Sequence, residues 1–231
     1  METLLQNGLS ALGLPTDSIG KLRRFSALLL EKNKVTNLTA ITEEKDVATL
    51  HLLDSVALLQ MADFSGKSVV DVGTGAGFPG MPLRIVKEDF SLTLLDSLNK
   101  RIDFLKDCCA DLGLKDVDCV HARAEEFAAK KRESFDYATF RAVANLSVLS
   151  ELALPLVKVG GQFLAMKSVD SEEEITAAKS AIKTLGGKIS RVEDYTIPGT
   201  DVTHRVVVID KIAPTPTKYP RAFAKIKKQP L

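Results

Sequence analysis

No apolar run in the 231-residue chain approaches the roughly 20 residues needed to cross a bilayer. The opening Met1-Glu-Thr-Leu-Leu-Gln also lacks the basic start of a secretory leader, so no membrane partner is expected. Cysteine is scarce. There are three, an odd number, and Cys108 and Cys109 are adjacent within a helical pattern. This argues against a disulfide framework or a metal site and for reduced thiols in a cytoplasmic protein. Acids are missing from Lys211 onward, where Lys211, Lys218, Arg221, Lys225, Lys227 and Lys228 give a charge of +6 while the rest of the chain carries −5. A basic tail on a mildly acidic body suits a polyanion partner, and solubility accounts for it equally well at this level.

What is present is globular: 45% hydrophobic and 26% charged residues, enough for one substantial core with an extension. Residues 1–65 read as a helical extension. Leu22, Phe25, Leu28 and Leu29 recur on one helix face, turn formers interrupt at Asn33–Ile41, and helix resumes from Glu43 to Met61. His51 lies in that stretch, and a lone helical histidine is expected to be structural or solvated. Residues 66–213 alternate strands (68–72, 91–96, 117–121, 135–140, 161–167) with helices (80–88, 98–112, 145–157, 171–185), with Gly160-Gly161 and Gly186-Gly187 at boundaries. The runs Lys188–Ile197 and His204–Ile212, separated by Pro198-Gly-Thr-Asp201, read as an antiparallel hairpin. The expected fold is α/β, a doubly wound, mostly parallel sheet with an antiparallel edge strand. Residues 214–231 form the basic tail.

The organising stretch is Ser68-Val-Val-Asp-Val-Gly-Thr-Gly-Ala-Gly-Phe-Pro-Gly80. It reads as a buried strand, a glycine turn and a helix start, the geometry of a nucleotide-type cofactor site. Gly73, Gly75 and Gly77 are placed where side chains would keep a ligand from the backbone. Two readings compete. A Gly-x-Gly-x-x-Gly through Gly75, Gly77 and Gly80 suits a dinucleotide and an NAD-dependent oxidoreductase. The pattern beginning at Asp71 resembles the first motif of class I S-adenosylmethionine methyltransferases. Asp96, ending the next strand, stands where a carboxylate meets ribose hydroxyls. A reversed strand at the sheet edge favours the methyltransferase.

Further absences narrow the chemistry. A cytosine C5 methyltransferase needs a cysteine nucleophile beside the cofactor, whereas Cys108, Cys109 and Cys119 fall in a helix and a strand interior. The Asn/Asp-Pro-Pro-aromatic tetrad of adenine amino methyltransferases is replaced by Tyr137-Ala-Thr-Phe-Arg141-Ala-Val-Ala144. What remains is an acceptor already nucleophilic, such as guanine N7, for which alignment and electrostatics suffice and no catalytic base is expected. Arg141, just past a buried strand, suits the methionine carboxylate or an RNA phosphate; a strand-end salt bridge is the alternative.

Asn37-Leu-Thr-Ala-Ile41, His51-Leu-Leu-Asp-Ser55, Asp71–Gly80, Arg123-Ala-Glu125, Arg141-Ala-Val-Ala144 and Tyr219-Pro-Arg221 occur in one order along the chain. In that combination the sequence resembles the bacterial 16S ribosomal RNA guanine-N7 methyltransferases, also called glucose-inhibited division protein B. The resemblance implies a Rossmann-like class I fold, S-adenosyl-L-methionine as cofactor, and 16S rRNA or the small ribosomal subunit as partner of a monomeric enzyme. It implies that Gly73 and Phe78 contact the cofactor, that Ala124 and Glu125 lie at its adenine end, and that Arg141 completes the site. The tail departs from the family pattern, because Ala222-Phe-Ala-Lys-Ile226 lacks the usual Gly-x-Pro turn. Lys218, Arg221, Lys225, Lys227 and Lys228, with Tyr219 and Phe223 between them, are the expected RNA contacts. A non-catalytic RNA-binding assembly module is the rival from another class.

Overall fold

A computed structural model describes residues 1–141 and 144–231. Its frame is a seven-stranded sheet: β1 (Ser68–Val72), β2 (Ser91–Asp96), β3 (Val117–His121), β4 (Phe135–Arg141), β5 (Val157–Ser168), β6 (Gly187–Thr196) and β7 (Thr203–Lys211). Strand order is β3-β2-β1-β4-β5-β7-β6, with β1 to β5 parallel and β7 antiparallel to both β5 and β6. The expected hairpin forms, and the reversed strand β7 lies between β5 and the outermost strand β6. The inner strands β1 and β2 are almost wholly buried, as their unbroken apolar runs require of strands covered on both faces.

The covering helices are α5 (Gly80–Val86), α6 (Asn99–Asp111), α7 (Ala124–Lys130), α8 (Leu146–Ala153) and α9 (Glu172–Thr184). Helix α8 stops earlier than the sequence pattern suggests. Pro155 falls in a single 3-10 turn, Leu154–Leu156, and β5 begins at Val157. Gly160-Gly161 consequently lies inside β5 rather than at its boundary. A side chain at Gly161 would meet the Asp136 carbonyl at 2.3 Å, where the β4–β5 register shifts.

The amino-terminal residues form α1 (Glu2–Ala11), α2 (Ile19–Thr36) and a continuous helical segment whose winding changes along its length. That segment runs as α3 (Glu44–Asp46), a π-helical stretch (Val47–Leu53), α4 (Asp54–Val56) and a 3-10 turn (Ala57–Gln60). Leu5, Leu22, Phe25 and Leu52 are buried in the same apolar cluster as Leu92 and Ile102, so the extension packs directly on the sheet domain. Beyond β7 the chain crosses back, with Tyr219 and Ile226 buried in the cluster on the opposite sheet face and a short last helix, α10 (Phe223–Lys228), resting near α8. Among the described residues no helix is long and apolar enough to span a membrane.

Candidate active site

The glycine turn leaves the carboxyl end of β1 and is held from below by Asp71. Asp71 is fully buried; its Oδ2 accepts from Thr74 Oγ1 (2.6 Å) and Gly80 N (2.9 Å), and its Oδ1 from Thr139 Oγ1 (3.2 Å). Burial raises its carboxyl to about 6, these hydrogen bonds opposing the rise. Gly73 and Gly75 have φ of 65° and 61°, a conformation that glycine adopts without cost, and the space where a Gly75 side chain would stand is open. Gly77 is different. A Cβ there would lie 2.6 Å from Met81 Cγ and 2.7 Å from a Leu105 methyl. Its lack of a side chain serves packing of the turn onto α5 and α6, which corrects the ligand-approach role expected of it. Gly80 likewise has no room for a Cβ, with Leu94 at 2.6 Å.

A cleft of about 150 Å³ opens beside the turn. Its walls include Gly73, Leu95, Asp96, Ala124, Glu125 and Phe223. The structure thus brings four of the sequence-predicted cofactor residues together from β1, β2 and α7. Asp96 is anchored by Gly75 N and Leu98 N (both 2.9 Å) and paired with Arg101 (3.1 Å), so its carboxylate retains room for a further donor.

A second, larger cavity of about 730 Å³ lies on the other side of the turn, between the amino-terminal segment, the ends of β4 and β5, and the hairpin. Arg141 stands in its wall. The Nη1 donates to Leu50 O (3.1 Å) and Asp54 Oδ2 (3.0 Å), the Nη2 donates to His51 Nδ1 (3.1 Å), and the guanidinium lies 4.9 Å above the Phe78 ring. Asp54, 1% exposed, also accepts from His204 Nδ1 (2.8 Å) and Tyr195 OH (2.7 Å) through Oδ1. Burial pushes the Asp54 carboxyl up, but the His204 hydrogen bond and the Arg141 charge outweigh it and hold the group below the usual range. The same hydrogen bond raises His204. His51 is driven the other way, to about 4, by burial and by the Arg141 cation. It is therefore neutral. Because a guanidinium only donates, His51 Nδ1 must accept and its Nε2 carries the proton toward Thr39 Oγ1 at 2.8 Å.

Phe78 is nearly buried between the stacked His51 ring (4.4 Å), Arg141 and Phe25. Both visible roles are those of a platform for the arginine. Asp54, Tyr195, His204 and the positioning role of His51 were missed from sequence. The i, i+3 spacing of His51 and Asp54 on one helical segment was a usable signal; nothing local announces Tyr195 or His204, which arrive from the hairpin. Ala142 and Val143 of the Arg141 motif lie outside the described residues.

The expected basic arm is only partly one. Lys211 is buried, donating to Glu133 Oε1 (2.9 Å), Thr215 Oγ1 (2.8 Å) and the Leu154 and Val157 carbonyls. Arg221 makes a two-pronged pair with Glu151, Nε to Oε1 at 2.8 Å and Nη2 to Oε2 at 2.6 Å. Glu151 is fully buried, so Arg221 is a structural clamp and not a free phosphate contact. Lys218, Lys225, Lys227 and Lys228 remain exposed.

The comparisons agree with this geometry. The family model described as GidB, rRNA small subunit methyltransferase G, matches residues 18–202. A ribosomal RNA small subunit methyltransferase G of Clostridium perfringens is 48% identical over 93% of this chain and 91% of its own. The enzyme of the same name from Alkaliphilus metalliredigens is 47% identical over 99% of this chain and 98% of its own. Among solved structures, M. jannaschii TYW2 in complex with AdoMet superposes with a TM-score of 0.57 at 15% identity, covering 74% of this chain and 77% of that one. TrmN from Thermus thermophilus gives 0.54 at 21% identity, over 68% and 48%. Those likenesses establish the class I methyltransferase fold, and the match over most of the length establishes more: the chain belongs to the GidB family of S-adenosylmethionine-dependent small-subunit rRNA methyltransferases.

Proposed function

We propose that this enzyme methylates N7 of a guanine in a loop of 16S rRNA, and that it acts as a cytoplasmic monomer. The carrying observation is the makeup of the larger cavity. Its walls hold a neutral His51, an Arg141 whose charge is matched by Asp54, and no cysteine among the described residues. Burial pushes the Cys108 thiol up to about 12, the opposite of what a nucleophile needs. Guanine N7 has a free lone pair at neutral pH and asks only for alignment. Its methylation leaves a cationic ring, and pairing Arg141 with Asp54 removes the repulsion a bare guanidinium would exert.

The smaller cleft fits the adenosine half of S-adenosylmethionine. Its walls are largely apolar, Asp96 and Glu125 supply acceptors for hydroxyl and amino groups, and Gly73, where Phe140 leaves little room for a Cβ, presents bare backbone to the cleft. Gly73, Gly75, Asp96, Ala124 and Glu125 would hold the nucleoside. When bound, the cofactor supplies a methyl group on a positively charged sulfur. Arg141 has Nε and one Nη2 proton without an acceptor among the described residues, which leaves charged donors for the methionine carboxylate. Lys218, Lys225, Lys227 and Lys228, all exposed, would meet RNA phosphates.

The test is radiolabelled methyl transfer to small ribosomal subunits from a strain lacking this enzyme, followed by nucleoside analysis. Label in 7-methylguanosine is expected. Label confined to cytosine or adenine refutes the assignment.

A further inference from the structure

One wall of the smaller cleft comes from an unexpected place. Phe223 reaches it from the far end of the chain and lines it together with Leu152 of α8, Leu95 and Ala124. The segment carrying it is fixed on both sides. Upstream, Tyr219 is buried and its carbonyl accepts from Arg132 Nη1 at 2.8 Å. Arg221 then locks onto Glu151 with three bonds, its own backbone N–H to Oε1 at 2.9 Å included. Glu151 adjoins Leu152, so the clamp is tied to the cleft wall itself. Downstream, Ile226 is fully buried. Phe223, between these anchors, is only half-buried. A ring needed solely for packing would be covered like Tyr219 or Ile226; this one keeps surface on the cleft.

Adenine is a flat, uncharged aromatic, and the face of a phenyl ring is the side chain surface that best matches it. The other aromatic in the cleft, Phe140, is buried beneath Gly73, 3.1 Å from where a Cβ would stand. We propose that Phe223 packs against the adenine of S-adenosylmethionine and that the Arg221–Glu151 clamp sets its position, making the carboxyl-terminal segment a working part of the cofactor site. This rests on the cofactor occupying the smaller cleft. It adds a cofactor role to a tail whose bases are the expected RNA contacts.

The test uses full-length protein and calorimetry with S-adenosylhomocysteine and with 5′-methylthioadenosine, which lacks the amino-acid end. Phe223→Ala should raise Kd for both about tenfold, the scale of losing one aromatic stack on a base. Its melting temperature should change little, since Tyr219 and Ile226 remain. The chain has no tryptophan, so Phe223→Trp introduces a single reporter. That variant should bind normally, and methylthioadenosine should quench its fluorescence. It decides the matter even where the alanine variant folds poorly. Arg221→Ala in the Phe223→Trp background should weaken the quench. Asp96→Ala separates the two levels of the argument. If it weakens binding while Phe223→Ala binds as wild type and the tryptophan stays silent with ligand bound, Phe223 is overturned and the cleft stands. If Asp96→Ala binds as tightly as wild type, the cofactor does not occupy the smaller cleft and both readings fall.

Discussion

Replacing Asp54 by asparagine removes one negative charge from a group that three elements converge upon. Oδ1 accepts from Tyr195 and His204 of the hairpin, and Oδ2 accepts from Arg141 at the end of β4. An amide keeps the volume and one acceptor but must present either an NH2 to the guanidinium or one to the hairpin donors. Removing one partner of a buried pair costs about 3–5 kcal/mol. Arg141 retains 19% side-chain exposure and its bonds to Leu50 O and His51, which places the expected cost near the lower end, about 3 kcal/mol. For a chain of this size that is a fall in Tm of roughly 6–12 °C. The loss should depend on pH. His204 is raised above its ordinary value by Asp54, so its contribution is complete below that ordinary value and disappears as pH climbs through the raised one. The Tm gap between wild type and Asp54→Asn should therefore narrow from pH 6 toward pH 9. In calorimetry, S-adenosylhomocysteine should bind roughly tenfold more weakly, near the lower end for a charged hydrogen bond, because Arg141 is no longer held for the carboxylate. Methylthioadenosine, lacking that carboxylate, should bind as before. A variant melting within about 2 °C of wild type, with unchanged S-adenosylhomocysteine affinity, refutes the view that Asp54 positions Arg141.

Gly73→Val should abolish cofactor binding in a folded protein, since its φ of 65° disfavours a branched residue and Phe140 crowds the Cβ; near-normal affinity by calorimetry would count against the cradle. Asp71→Asn should fold, because Thr74 and Gly80 can bond the amide oxygen while the NH2 faces Thr139. The wild-type carboxyl, raised to about 6, favours the protonated folded state, so stability should decline as pH rises from about 4 through 6, and a melt series should show the variant lacking that decline. Replacing Lys225, Lys227 and Lys228 together by alanine should leave cofactor affinity intact and flatten the salt dependence of RNA binding; three phosphate contacts are worth about twentyfold between 50 and 200 mM salt, and equal slopes would remove these lysines from the RNA surface.

The sheet was readable because its strands are apolar runs punctuated by glycine, and the site's first half was readable because Asp71 through Gly80 and Asp96 are local signals at strand ends. The second half was not. Arg141 was singled out from its position alone, but its side-chain partners are His51 and Asp54, and Asp54 is bonded in turn by Tyr195 and His204, a set brought together only by tertiary packing. Glu151 carried a weak signal, a lone acid in the apolar run Leu146–Leu156, which in retrospect demanded a buried cation. Reading the tail by charge alone failed for Lys211 and Arg221, because charge counts do not distinguish a solvated base from one clamped to a buried acid. Gly77 shows the same limit: the letter fits a ligand motif while the space around it is filled by Met81 and Leu105.

The reversed strand has a consequence for how such an enzyme diversifies. In a wholly parallel sheet only strand ends pointing one way reach the site, and each is tied to a helix that the core depends on. Inserting β7 against β5 brings its beginning to the same rim, with His204 paired to Ser168 and to Tyr195 across the hairpin. The turn at residues 197–202, which carries Val202 into the wall of the larger cavity, is thereby free of any crossover helix. Insertions or exchanges there remodel the wall of the larger cavity while leaving the glycine turn and the smaller cleft in place, so if that cavity receives the RNA base, altered RNA preference can be sought by grafting this single loop.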